Sequence, residues 1–273
     1  MGAINYYRSL INRGNPNYLV YKNRVVSDGG IVVDEDVTNS RFQFLDDESI
    51  LSNLIFSVSK DAGNLITSGD IEKAYNMGDS SFTVSSDGDW DMIQPTISFR
   101  PPSDYDFTNT NKWLESDFFI VTADLGNYAV CSWFFRAGTF GANTFKRPLH
   151  NGGQSSNEAS SVVFSSGVVG VQIALSAGGG LIVNSTTTLT ANSTYLVCVD
   201  GDNNEFKVYK DGVLDSTTAI GASSFLIRLR RAFTLSAYID NLFPAQAFDG
   251  VLPSAYLFNT NLSSQALAIH NNL

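Results

Sequence analysis

The chain has 273 residues, of which 43% are hydrophobic and 12% aromatic but only 16% charged, so it can bury a large core and global disorder is excluded. Its net charge of −10 argues against a surface that tracks phosphates, which needs clustered lysines and arginines. Nucleic acid is therefore not an expected partner.

The opening MGAINYYRSLINRGN places Arg8 and Arg13 where the apolar stretch of a secretory leader would lie, and no run approaches the roughly 20 apolar residues that span a bilayer. The expectation is a soluble protein made in a cytoplasm, with no membrane partner. The Asn-x-Ser/Thr matches at Asn184, Asn192 and Asn261 then carry no glycan.

Residues 1–45 read as an extended arm. A short helical stretch at Tyr6–Asn12 precedes two apolar runs split by Asp28-Gly29-Gly30. Residues 1–30 carry +3 and the remainder −13, a contrast that suits docking between copies or onto an acidic neighbour. Tyrosines beside cations are the mixture that anchors interfaces, so the candidate interface residues are Tyr6, Tyr7, Leu10, Arg13, Tyr18 and Tyr21. That these side chains pack back onto the body is the equally weighted alternative.

Residues 46–69 read as a helical linker. Asp46 or Asp47 can cap it, Ile50, Leu51, Leu54, Ile55 and Val58 recur at helical spacing, and Gly63 closes it. The body, residues 70–273, is all β: from Phe82 short runs of β-branched and aromatic residues are broken by Gly, Asn, Asp and Ser. The run ASSVVFSSGVVGVQIALSAGGGLIV predicts paired strands with tight turns, and TYLVCVDGDNNEFKVYKDGVL a meander. FTLSAYID predicts one strand, with Phe233, Leu235, Ala237 and Ile239 sharing a face. Cys131 and Cys198 sit in apolar runs and read as small buried hydrophobes ahead of a disulfide.

These residues carry a resemblance. Tyr195–Asp200, then Glu205–Lys210, then Asp211-Gly212 is similar to the strand, turn, strand and Asp-Gly of the concanavalin A-like (laminin-G-type) family. In FDGVLPSAYLFNTNLSSQALAIHNNL, Phe248, Gly250, Val251, Tyr256, Phe258, Asn259, Leu262 and Ser263 match the family's closing strand and short helix, and Ser263 is a sound N-cap for that helix. YAVCSWFFRAG looks like the family's aromatic central strand. The resemblance spans about residues 70–273. It implies a two-sheet antiparallel jelly-roll sandwich, here with an N-terminal extended arm and one or two short helices. The arm also resembles segments of tailed-phage virion proteins, where such modules decorate heads, tails or fibres.

Catalytic signatures fail. Jelly-roll glycosidases use Glu-x-Asp-x-x-Glu on one strand to set an acid and a nucleophile at fixed separation, whereas here Glu115 and Asp117 are followed by Ile120. His150 and His270 are the only histidines, and neither lies near a nucleophile elbow or an activated cysteine. Asp87-Gly88-Asp89-Trp90-Asp91 begins like an EF-hand, but Met92 and Ser98 replace the required Gly and Glu. The Asp200–Glu205 turn is explained by a hairpin. No cofactor, metal or catalytic residue is expected. Trp90, Trp113 and Tyr105 lie in loop-like stretches that could build a sugar platform, although no sugar site is nominated. The expectation is a non-enzymatic virion structural protein that binds other virion proteins and copies of itself, a trimer among the candidates; the alternative is a carbohydrate-binding or receptor-recognition module for a host-surface glycan.

Overall fold

A computed structural model of the chain describes residues 14–67, 70–78, 90–93, 113–116, 127–128, 130–140, 145–151, 160–175, 179–221, 225–228, 233–235, 238–240, 243–245 and 250–273. Three helices occur among them: α1 (Pro16–Ser27), α2 (Glu35–Asp47) and α3 (Ala266–Asn272). The strands are β1 (Ile31–Val32), β2 (Leu54–Ser59), β3 (Gly63–Thr67), β4 (Asp70–Ala74), β5 (Trp90–Ile93), β6 (Trp113–Ser116), β7 (Asn127–Tyr128), β8 (Val130–Arg136), β9 (Phe145–Asn151) and β10 (Ser160–Ser165). They continue with β11 (Val168–Leu175), β12 (Gly180–Thr188), β13 (Thr194–Asp200), β14 (Glu205–Lys210), β15 (Val213–Ala219), β16 (Phe225–Arg228), β17 (Phe233–Leu235), β18 (Tyr238–Asp240), β19 (Phe243–Ala245) and β20 (Ser254–Phe258).

All the pairings are antiparallel, in a twelve-stranded sheet, a six-stranded sheet ordered β15-β14-β13-β8-β20-β2, and a small β18-β19 hairpin. The fold is an all-β jelly-roll sandwich, as the strand patterns and the resemblance led one to expect. The predicted meander is β13-β14-β15, turning at Asp211 and Gly212, whose φ values of 50° and 80° suit a tight hairpin turn. The Val- and Ile-rich run forms β10-β11-β12. FTLSAYID is two short strands, β17 and β18, in different sheets rather than one.

One core fills the space between the sheets. Cys131, Trp133, Phe135, Val197, Val199 and Leu257 of the six-stranded sheet meet Leu149, Val162, Phe164, Val171 and Ile173 of the larger one; the Phe135 and Phe164 rings lie 5.7 Å apart. Full burial of each such side chain is worth roughly 1.5–3 kcal/mol. A second core covers the opposite face of the six-stranded sheet, where Phe134, Leu196, Cys198, Tyr256 and Phe258 meet Tyr18, Tyr21 and Val25 of α1, Phe42 and Leu45 of α2, and Ile269 of α3. The molecule therefore has a third, helical layer.

That layer corrects the reading of the N-terminal third. Residues 16–47 are two helices and not an extended arm. Asn15 caps α1, its side chain accepting from the amides of Asn17 and Tyr18, with Pro16 in the first turn. Asp34 caps α2 by accepting from Val37. The predicted helical linker over 46–69 instead holds two strands that belong to different sheets, β2 in the six-stranded and β3 in the twelve-stranded one, and Asp46 and Asp47 end α2 rather than starting a helix. All six residues of β2 are buried, because one face meets the sandwich core and the other the helices, so its apolar spacing carries no strand alternation. Gly63 closes no helix: a Cβ there would come within 2.6 Å of Val25 and 2.7 Å of the Tyr21 hydroxyl. It is the point where α1 lies directly on the backbone of β3.

Cys131 and Cys198 are free and buried. Cys198 stands opposite Ser132 on the neighbouring strand, so alternation puts the two thiols on opposite faces of the sheet, which excludes a bond between them. Burial pushes both up from the ordinary thiol value. Among the described residues no helix is long and apolar enough to cross a membrane.

Candidate binding cleft

The helical layer leaves a cleft of about 570 Å³ at its edge, between α1, the last turn of α2, the 49–52 turn and the Met77-Gly78 segment. Its apolar walls are Val20, Tyr21, Phe42, Leu45, Leu51 and Met77, and its polar rim is Asn17, Arg24, Asp46, Ser49 and Ser52.

Each wall is held by contacts that the local sequence dictates. The Tyr21 hydroxyl donates to the Tyr75 carbonyl at 3.0 Å and accepts from the Gly63 amide at 2.7 Å, which locks α1 onto the sheet. Its ring packs on Phe42 at 5.3 Å. Arg24 donates to the Asn76 carbonyl, with its guanidinium 5.7 Å from the centre of the Tyr21 ring. Across the cleft Asp46 accepts from the side-chain amides of Asn15 and Asn17, which ties the start of α1 to the end of α2. Lys22 pairs with Glu35 at 2.5 Å on the outer surface. The hydrogen bond from Lys22 holds Glu35 below the usual carboxylate range against the opposing effect of burial, while burial, then Glu35, pushes Tyr18 up to about 12.

A volume in this range, with apolar walls and a few polar groups, is what small-molecule sites have. Among the described residues that line it there is one carboxylate and no histidine or cysteine. It can therefore bind, but it lacks the two facing acids that glycoside hydrolysis uses.

The predicted site residues scatter. Tyr6, Tyr7, Leu10 and Arg13 lie outside the described residues. Tyr18 and Tyr21 are each 4% exposed and pack inside this chain, the alternative weighed equally with an outward interface, because the sheet's second face needs a cover and their rings supply it. The large apolar side chains that α1 turns outward are Leu19, Val20 and Val26, at 44%, 71% and 56%. Asn15-Pro16 and Asp28-Gly29 at its two ends were the signal for this helix.

Trp90 and Trp113, read as loop residues, are in β5 and β6, where Trp90 pairs with Ser116 and Trp113 with Ile93. These are register positions of opposite parity, which fall on different faces of the ladder. Tyr105 and Asp117 lie outside the described residues, as do Asp87–Asp89 and Ser98. Glu115 is in β6 and His150 in β9. His270 is on α3, with Nδ1 2.6 Å from the Thr194 hydroxyl. In the Asp200 turn, burial pushes the Asp200 carboxyl up, but hydrogen bonds from Asn203, Asp202 and Asn261 outweigh it and hold it low. The Ser263 side chain caps no helix; a short 3-10 turn precedes α3, and the Ser263 amide donates to Asn261 at 3.0 Å.

The architecture defines an antiparallel jelly-roll β-sandwich. No family model matches the chain, and no curated protein matches it. Solved structures do. The botulinum neurotoxin serotype D binding domain matches at 12% identity with a TM-score of 0.50, over 82% of this chain and 52% of that one. A Ruminococcus gnavus IT-sialidase CBM40 module bound to α2,3-sialyllactose matches at 15% identity and a TM-score of 0.45, over 54% of this chain and 86% of that one. The NanB sialidase of Streptococcus pneumoniae matches at 17% identity and 0.45, over 53% and 24%. The chain thus spans about half of the toxin chain and a quarter of that sialidase. At these identities the likeness is one of fold.

Proposed function

We propose that the chain is a non-catalytic binding module whose ligand is a carbohydrate, in the role of receptor recognition. The observation that carries this reading is the cleft. A sugar offers hydroxyls that both donate and accept, together with apolar C–H faces, and the cleft sets Arg24 donors, Asp46 acceptors and the Asn17, Ser49 and Ser52 groups around apolar walls. Sharing a fold with a toxin binding domain over 82% of the chain supports a binding role.

Glycan-array screening of the whole chain tests the reading. At least one glycan class is expected to be retained, with affinity falling more than about tenfold in Ser52→Trp, whose indole fills the cleft from an exposed position (tenfold is about 1.4 kcal/mol). Retention of no glycan at all would overturn the carbohydrate reading. Binding unchanged in Ser52→Trp but lost in Trp90→Ala or Trp113→Ala would move the site to the larger sheet.

A second reading is assembly with copies of itself or with other proteins of a virion. It rests on the exposed aliphatic side chains Leu19, Val20 and Val26 of α1, Ile31 of β1, Val33 just after it and Val37 of α2, since exposed apolar groups that form a patch mark interaction surfaces. Light scattering should then show an oligomer that Val20→Glu disperses. A monomer at all concentrations, with no binding to virion components, removes this reading.

A further inference from the structure

We propose that residues 6–11 turn back over α1 and seat in the cleft, so that the chain's own N-terminal segment is the cleft's resident occupant. Among the described residues the cleft has no cover: Val20, on its wall, is 71% exposed, and Ser52 is exposed beside it. The segment joins the fold at the mouth of the cleft. The amide of Asn15 donates to Asn39 Oδ1 of α2 at 2.8 Å, and the Asn15 side chain reaches Asp46 on the rim. Asn12, Gly14 and Asn15 are turn-forming residues, which a chain needs there to reverse onto α1. The wall that α1 supplies, from Asn17 to Arg24, is about 10 Å long at 1.5 Å per residue, and six extended residues span up to about 20 Å. Residues 6–11 are long enough to cover it.

The chemistry matches on two counts. Tyr6, Tyr7, Leu10 and Ile11 bring apolar groups to walls made by Val20, Phe42, Leu45 and Met77, and covering such surface is worth roughly 25 cal/mol per Å². Charge is the second. Asp46 and Asp47 end α2 and Glu48 follows, with no basic residue in the last turn, so three carboxylates stand at the negative end of the helix dipole, where cations belong. None of them joins an ion pair among the described residues; Asp46 accepts from the side-chain amides of Asn15 and Asn17, and Asp47 from that of Gln43. Residues 1–13 hold Arg8 and Arg13 and no carboxylate, and Arg13 is two residues from the Asn15 that already touches Asp46. The seat stands on this geometry and charge. That it competes with a ligand rests on the reading of the cleft as a carbohydrate site: a glycan has to displace residues 6–11, which lowers its apparent affinity by the fraction of cleft left open.

Disulfide trapping in the full chain tests the seat, since both native thiols are buried. Ser9→Cys is paired with Ser52→Cys in the cleft or, as the control, with Ser40→Cys, which is exposed on the side of α2 turned away from Phe42, Leu45 and Asp46. Under a mild oxidant the Ser52 pair is expected to close at least about tenfold faster than the Ser40 pair, and to give a product of monomeric mass. Equal rates for the two pairs, or a faster Ser40 pair, would overturn the proposal. A product made mainly of cross-linked dimers would overturn it too, by moving the segment into a neighbouring copy. A glycan retained on the array should slow the Ser52 pair and leave the Ser40 pair unchanged. The two readings fail separately: a chain that retains no glycan but still favours Ser52 keeps the seat and loses the carbohydrate, and one that binds glycan with no preference between the pairs does the reverse.

Discussion

The two faces of the six-stranded sheet are closed by different means. Toward the larger sheet, Cys131, Trp133, Phe135, Val197, Val199 and Leu257 make a face of apolar side chains against other apolar side chains. Toward the helices, Phe134, Leu196 and Tyr256 share the face with Ser57, Ser59, Ser132, Thr194 and Arg136, nearly all of them keyed by directed bonds: Ser57 Oγ accepts from the Met77 amide, Ser132 Oγ donates to the Thr260 carbonyl, and Arg136 holds the last carbonyls of α3. Area alone glues two sheets that already match in shape. Helices laid across a flat sheet need polar keys to fix where they sit, and α1 gains a steric one at Gly63.

The comparison can be broken most sharply from the inner face. Trp133→Ala removes the largest fully buried side chain among the described residues from a core that cannot close around the gap. A loss of about 3–5 kcal/mol is expected, read by urea unfolding as one cooperative transition of the whole chain. A loss below 1 kcal/mol would mean that the two sheets are not packed as described. The next effect belongs to the helical face. Gly63→Ala drives a methyl into Tyr21 and Val25 and should cost about 1–3 kcal/mol. Here hydrogen exchange should show α1 opening ahead of the sandwich, which the Trp133 variant does not predict.

How much of this was legible follows from how many faces of a strand are covered. The β10-β11-β12 and β13-β14-β15 runs could be read because tight turns flank them, and β12, exposed along one face, alternates visibly. Leu54–Ser59 could not, since a strand buried on both faces has no period to read and Leu54, Ile55 and Val58 fall at helical spacing by accident. α2 was hidden for the opposite reason: Thr38 and Arg41 supply part of its buried stripe, and neither counts as apolar. The binding cleft was out of reach altogether, because four segments far apart in sequence build it, and no motif links Arg24, Asp46, Ser52 and Met77. Tyr18 and Tyr21 of α1 pack back onto the body, the alternative that the sequence weighed equally with an outward interface.

Alkaline pH probes both faces at once, since Cys131 belongs to the inner one and Cys198 to the outer. Burial raises both thiols above the ordinary value of 9.0. In the unfolded chain they lose protons as pH passes that value, while in the folded chain they keep them. The unfolded state then binds fewer protons, so stability is complete below pH about 9 and falls as pH rises above it. Unfolding at pH 7 to 10 should show this slope, reduced in Cys131→Ala after allowance for the variant's own lower baseline, and a thiol reagent should label neither cysteine in the native protein. Rapid native labelling of Cys198 alone would show that the helical cover opens far more readily than the inner core.

The smallest effect should come from the one ion pair that joins α1 to α2 on the outside. Lys22 and Glu35 sit 2.5 Å apart, but their side chains are 34% and 54% exposed, so water and salt screen the attraction and ordering two long side chains offsets most of the rest. Lys22→Met should cost no more than about 1 kcal/mol and the difference should vanish in high salt. The Lys22 bond holds Glu35 low, so its contribution is present above the usual carboxylate range and is lost as pH falls through it. If the variant instead lost as much as Gly63→Ala, the helices would be held to each other by charge rather than to the sheet by Tyr21, Val25 and Phe42, and the keyed helical face would have to be abandoned.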